Sequence, residues 1–316
     1  MNFIHRKFRT PIALTIGFWA SWLWPTYAQA TLNVVTTTSD LGDFVRTIGG
    51  DRVAVDTICS GTQDPHYVQA RPSYMVKLSR ADLVVSVGLE LEVGWLPSLV
   101  QGARNPDINP GSRGYLDAST AITPIEVPRG QIDRSQGDVH PLGNPHYWLD
   151  PENARLIANA IAQKLSTLDP DGASLYQQNF RTFDQRMAQA IQRWNQSMAS
   201  YRGTKVVSYH RTFDYFLDRF GLIAMGFIEE RPGVPPAAAH VARLIRQVQN
   251  EGVRVIFHES YFDRAASDLV SRRSGAQVLV MPTSVGGTSK VTNYEQLIDH
   301  LVDSFVSAMK NTGGPK

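Results

Sequence analysis

The stretch TLNVVTTTSDLGDFVRTIGGDRVAVDTI, Thr31–Ile58, decides the fold class. It opens on a β-branched run, Thr31–Thr37, passes through a helix-like segment, Leu41–Ile48, and closes on a second β-branched run, Arg52–Ile58. Two apolar strands with a helix between them predict a parallel pair covered on its faces. A third strand pattern follows at Asp82–Val87, with helix-like pieces at Pro72–Ser79 and Leu91–Val100. The same rhythm returns downstream, with strands at Thr204–Ser208, Leu222–Ile228, Val253–His258 and Gln277–Met281. Helical patterns at Phe213–Phe220, Pro236–Asn250 and Arg264–Arg273 separate these strands. The middle carries no strand signal: Pro151–Leu165 reads as a helix, Asp169–Gly172 as a turn, and Ala173–Tyr201 as one long helix. The pattern predicts an α/β protein with two lobes separated by a helical segment. A Pro- and Gly-rich stretch, Ile122–Pro145, is expected to be a surface loop at the end of the first lobe.

Composition narrows the class. Lys and Arg total 31 against 29 Asp and Glu, a balance that argues against a protein built to neutralise nucleic-acid phosphates. A single cysteine, Cys59, excludes an internal disulfide and a Cys-rich zinc framework, and is expected to pack as a small apolar residue. Any metal chemistry must therefore use His and carboxylate. The first thirty residues read as an export signal. His5, Arg6, Lys7 and Arg9 precede an uncharged, mostly apolar run from Pro11 to Trp24, which ends in Ala28-Gln29-Ala30. That run is shorter than the ~20 residues of a membrane span. Cleavage after Ala30 is expected to leave a soluble exported protein, in a bacterium a periplasmic one. Thr31 follows the site where a lipoprotein has Cys.

No GxGxxG, GxxxxGK[ST], GxSxG or HExxH pattern occurs, so none of those catalytic frameworks applies. The histidines carry the signal instead. His240 and His300 lie in amphipathic helices and are expected at the surface, and His258 lies inside an apolar strand and is expected to be structural. His66 sits in the turn Asp64-Pro65-His66-Tyr67 a few residues after a strand, and His146 in Asn144-Pro145-His146-Tyr147-Trp148 before a helix. His210 follows Val206-Val207-Ser208 directly. Ligands of open α/β sheets bind outside the carboxyl ends of the strands, where these three residues are placed.

Those residues also carry a resemblance. Asp64-Pro65-His66 with Arg71-Pro72-Ser73, and Asn144-Pro145-His146-Tyr147-Trp148-Leu149-Asp150-Pro151, resemble the zinc/manganese class of ABC-transporter solute-binding proteins. The similarity continues through Ser208-Tyr209-His210, Phe213, Phe216, Glu230-Arg231-Pro232-Gly233 and Val255-Ile256-Phe257-His258-Glu259. It implies two α/β lobes, each with a central mainly parallel sheet covered by helices, joined by one long rigid helix. The lobes would be 31–170 and 202–316, with 171–201 as the linking helix and 1–30 as the signal peptide. The resemblance further implies a metal in the interlobe cleft and delivery to a membrane permease driven by an ATPase. A periplasmic metallochaperone is a conceivable additional partner. No nucleic acid is expected to bind, and a monomer is expected.

Carried over position by position, His66 and His146 match the first two ligands of that class and His210 the third. A His at the third position resembles the zinc-preferring branch. Imidazole nitrogen suits Zn²⁺, whereas oxygen-rich sites suit Mn²⁺. The usual fourth ligand is an acidic residue in the loop after the last strand, here Pro282–Gly287, yet no acid occurs between Asp268 and Glu295. Glu259 is the expected replacement, with His140, Asp263 and water as alternatives, or else it orients His210 from behind. The Gly- and Ser-rich stretch Pro282–Asn293 is expected to be mobile and to order on metal binding. His140, a single His in the loop Gln136–Gly143, either faces solvent or recruits metal.

These readings predict a periplasmic zinc-capture protein, not an enzyme, whose cargo is Zn²⁺. Two alternatives stand beside it. One is manganese or iron transport on the same scaffold. The other is a zinc hydrolase using Glu259 as general base on a metal-bound water, against which no oxyanion-stabilising motif is apparent.

Overall fold

Strand β1, Leu32–Thr38, lies inside the first of two sheets in the computed structural model, which describes residues 31–130, 137 and 139–313. The export signal expected at 1–30 lies outside the described residues. The first sheet comprises β1, β2 (Val53–Cys59), β3 (Leu83–Ser86) and β4 (Tyr115–Asp117) in the order β2-β1-β3-β4. The second comprises β5 (Lys205–Ser208), β6 (Ile223–Phe227), β7 (Val255–Glu259) and β8 (Gln277–Met281) in the order β6-β5-β7-β8. All six neighbouring pairs are parallel. The two sheets therefore share one topology, and in each the strand order reverses at the first strand. That reversal opens a crevice at the carboxyl ends of β1 and β5. Tyr115–Asp117 was not legible as a strand: three residues are too few to show a period, and β4 exists because it pairs with Val84–Ser86.

Helices α1 (Ser39–Gly49), α2 (Pro72–Ser79) and α3 (Leu96–Ala103) cover the first sheet. Helices α6 (Asp214–Phe220), α7 (Ala238–Asn250), α8 (Ala265–Ser274) and α9 (Tyr294–Asn311) accompany the second. Between them run α4 (Pro151–Leu168) and the linking helix α5 (Ala173–Met198). At 26 residues α5 is ~39 Å long. It buries one stripe, Tyr176, Phe183, Met187, Ile191, Trp194 and Met198, at the spacing of a single helix face, against α1, α4 and α9. One apolar cluster runs through both lobes, from Phe44 through Trp148 to Phe213 and Phe305. Among the described residues, no helix is long and apolar enough to cross a membrane.

The stretch expected to be mobile and to order on metal binding makes hydrogen bonds to the first lobe. Asp40 Oδ1 accepts from the Val285 N–H at 2.9 Å, and Ser39 Oγ donates to the Val285 carbonyl at 2.6 Å. Trp148 Nε1 donates to the Thr283 carbonyl at 2.8 Å, and the Tyr294 N–H to Asp43 at 2.9 Å. Thr283, Ser284 and Val285 are buried. The small residues here serve close approach: a Cβ on Gly61 would sit 2.1 Å from the Val285 carbonyl oxygen. A Gly- and Ser-rich composition reads as freedom in a sequence, and here it is the seam between lobes.

Candidate metal centre

Three turns at the carboxyl ends of strands bring three imidazoles together. β2 ends at Cys59, and the chain turns through Asp64-Pro65-His66, where the Asp64 carboxylate accepts from the His66 backbone N–H at 3.0 Å. The same carboxylate oxygen lies 2.7 Å from His66 Nδ1. Trp95 Nε1 holds the turn by donating to the Pro65 carbonyl at 2.9 Å. His146 is positioned by Asn144, whose Oδ1 accepts from the His146 N–H at 2.9 Å. Asn144 Nδ2 donates across the cleft to the Arg211 carbonyl at 2.9 Å, so one amide sets His146 and joins the lobes. A short helical turn, Tyr147–Leu149, follows, then α4, whose first turn is capped by the Asp150 side chain. His210 comes two residues after β5, and its Nδ1 lies 2.6 Å from Glu229 Oε2. Glu229 follows β6, the neighbour of β5, and its other oxygen accepts from the Gly233 N–H at 3.0 Å.

The three rings form a near-equilateral triangle, with centroids 5.2 Å apart for His66 and His146, 5.6 Å for His66 and His210, and 5.5 Å for His146 and His210. One ring nitrogen from each lies within 4.8 Å of the others, and among the described residues this is the one such group of His, Cys, Asp and Glu. His146 is 1% exposed, and among the described residues neither of its ring nitrogens has a hydrogen-bond partner. Burial, then the charges of His66, His210 and His140, hold His146 well below the ordinary imidazole pKa, so it presents a neutral ring. Burial works against ionisation of Asp64, but the hydrogen bond and charge of His66 prevail and hold its carboxyl below the usual range. Carboxylates at Nδ1 of His66 and His210 keep the proton there and leave each Nε2 as a lone-pair donor. A buried triangle of three such nitrogens suits a divalent cation with a preference for imidazole. A cavity of about 540 Å³ opens at His146 and His210, bounded by Glu126, His140, Arg211 and Pro232.

Glu259, expected as the fourth ligand, is not in this group. It ends β7 and is fully buried. Burial pushes its carboxyl up to about 8, which the nearby Thr212 hydroxyl offsets only in part. Nor does Glu259 orient His210; Glu229 does. The signal for Glu229 was its place at the end of the strand beside β5, one residue before the quoted Glu230-Arg231-Pro232-Gly233. Asp263 is exposed and accepts from the Ala265 N–H at 2.8 Å, at the start of α8. His140 does reach the site: its Nε2 lies 3.2 Å from His66 Nε2. His258 bonds Ser267 Oγ at 2.9 Å and faces the Phe262 carbonyl, as a structural residue would. His240 is half-buried and not at the surface, because its Nε2 bonds the Phe227 carbonyl at 2.8 Å. His300 is likewise half-buried. Cys59 is buried, and burial pushes its thiol up to about 12.

Residues 34–308 match the model of the family described as zinc-uptake complex component A, periplasmic. The chain is 28% identical over 252 residues, 78% of each protein, to a manganese ABC transporter substrate-binding lipoprotein, PsaA, of Streptococcus pneumoniae. It is 27% identical over 285 residues, 88% of each, to the manganese-binding lipoprotein MntA of Halalkalibacterium halodurans. Its structure superposes on the crystal structure of ZnuA with a TM-score of 0.75 at 24% identity, covering 88% of this chain and 99% of that one. Against the manganese-bound periplasmic metal binding protein of candidatus Liberibacter asiaticus the TM-score is 0.70 at 22% identity, covering 87% and 98%. At these identities the structural likeness concerns the fold.

Proposed function

The chain belongs to the family of periplasmic zinc-uptake complex component A proteins, and from that membership we propose that it captures Zn²⁺ on His66, His146 and His210 and delivers it to an ABC-transporter permease. As a member it is a metal-binding transport component that works outside the cytoplasm, and it is not an enzyme. The observation that carries the site assignment is His146: a buried imidazole with two unpaired nitrogens, facing two others whose Nδ1 atoms are held by carboxylates. An unpaired buried polar group is costly, and a cation at the centre of the triangle supplies the missing partner. Binding needs a lone pair from each ring, so protons compete with the metal and affinity falls as pH is lowered. In this reading 31–170 and 202–316 are the lobes that supply the ligands, and 171–201 is the helix that spaces them.

Zinc is preferred over manganese in this proposal because neutral nitrogen donors favour the softer cation. Manganese is the second reading, favoured by the printed names of the relatives PsaA and MntA. Titration of metal-free protein separates them. The proposal expects one zinc per chain, held against a large excess of manganese at pH 7. It also expects losses of orders of magnitude in His66→Ala, His146→Ala and His210→Ala. Displacement of zinc by manganese would favour the second reading, and full affinity in the three variants would overturn the site.

A further inference from the structure

We propose that His140 is the fourth ligand, so that the cargo sits among four imidazoles, three from the first lobe and one from the second. The inference rests on the capture reading above and concerns how the site is closed. It starts from two hydrogen bonds that fix tautomers. His140 Nδ1 lies 3.1 Å from the Leu89 carbonyl, and a carbonyl only accepts, so Nδ1 carries the proton. His66 Nδ1 carries its proton for the same reason, towards Asp64 at 2.7 Å. The two Nε2 atoms face each other at 3.2 Å. Four nitrogens placed tetrahedrally ~2.0–2.1 Å from Zn²⁺ stand about 3.3 Å apart. The observed separation is close to one edge of that tetrahedron.

The loop that presents the Leu89 carbonyl is held in an unusual conformation. Gly88, Leu89 and Glu90 have φ of 80°, 51° and 64°, all in the left-handed region, and two of the three carry a Cβ. Such backbone persists where its surroundings impose it, and at sites with a task. Here Glu92 imposes it: its carboxylate accepts from the Val87 N–H at 2.7 Å and the Gly88 N–H at 3.0 Å. The product of the strain is a carbonyl aimed at His140. That is how proteins commonly orient a metal-binding imidazole. His140 touches the triangle through His66 alone and lies outside the group of three, so its ring must move towards His146 and His210 on metal binding to complete the set. A site with four neutral nitrogens and no carboxylate is selective for zinc over manganese. No acid occurs between Asp268 and Glu295, so the loop after β8 offers no carboxylate in its place.

The test compares zinc-loaded wild type with His140→Ala and His140→Asp by zinc X-ray absorption and zinc titration, with metal-free melting temperatures as the folding control. The proposal expects four imidazoles in wild type and three with one oxygen in both variants. It expects zinc affinity in His140→Ala to fall by at least ~10-fold, the least that neighbours of a metal ligand usually cost. In His140→Asp the zinc-to-manganese preference should fall as well. The same imidazole count and affinity in wild type and His140→Ala would overturn the proposal and leave capture by three histidines standing. A wild type that binds no zinc would overturn both.

Discussion

At the scale of single residues, His146 concentrates the conflict between folding and binding. Leaving two buried nitrogens unpaired costs stability in the metal-free protein, on the order of 1–3 kcal/mol for a group of this kind. His146→Leu removes both polar atoms and keeps most of the volume. The metal-free variant should therefore unfold at the same temperature as wild type or a higher one, while zinc binding is lost. Calorimetry of the two metal-free proteins checks this, and a clear drop in melting temperature would mean that the imidazole is structural. That His66, His146 and His210 come together was legible because all three lie in turns at the carboxyl ends of strands, where open α/β sheets bind ligands. Their carboxylate partners were harder to read. Asp64 lies two residues from His66, but Glu229 reaches His210 only because β6 pairs with β5. Glu259 also ends a strand and lies outside the group of three, because the end of a strand fixes a residue's height in the sheet and not its distance from a neighbouring turn.

At the scale of elements, the helix–strand alternation was readable almost throughout, and the seam between lobes was not. Pro282–Asn293 carries the composition of a flexible loop, yet its backbone is held by side chains some 245 residues away in sequence. No local pattern encodes such a partner. Asp40 is the central clasp, fully buried, and desolvation pushes its carboxyl up to about 7 despite the bonds from Val285 and Ser284. A carboxyl whose folded pKa is raised binds a proton in the native state that the unfolded chain has released. Its contribution to stability is therefore greatest below the unfolded value near 3.8 and is lost as pH rises towards 7. Asp40→Asn removes this titration and keeps an oxygen for the Val285 N–H. The stability lost by metal-free wild type between pH 5 and pH 8 should be smaller in Asp40→Asn. Equal losses in denaturant melts of the two proteins would show that Asp40 does not titrate in this range.

At the scale of the whole molecule, two sheets of identical order face their carboxyl ends to one cleft, and a single apolar cluster runs beneath it. Arg219 grips Asp150 through two bonds of 2.6 Å, and Asn144 bonds Arg211, so the turns that carry His146 and His210 are tied to each other across the lobes. Such a frame holds the three imidazoles together without a cation, and on the capture reading proposed above wide closure is unnecessary. The sequence showed the two lobes through their strand rhythm and the spacer through Ala173–Tyr201. The shared core was not legible, since each buried residue of α5 reads the same whichever lobe it meets. The central claim is that imidazoles from both lobes hold one cation. Anomalous diffraction at the zinc edge from crystals of the zinc-loaded protein tests it most directly. The account predicts one strong peak per chain, ~2.0–2.1 Å from a ring nitrogen of each of His66, His146 and His210. A peak bound to one lobe alone, or none inside the triangle, would contradict it.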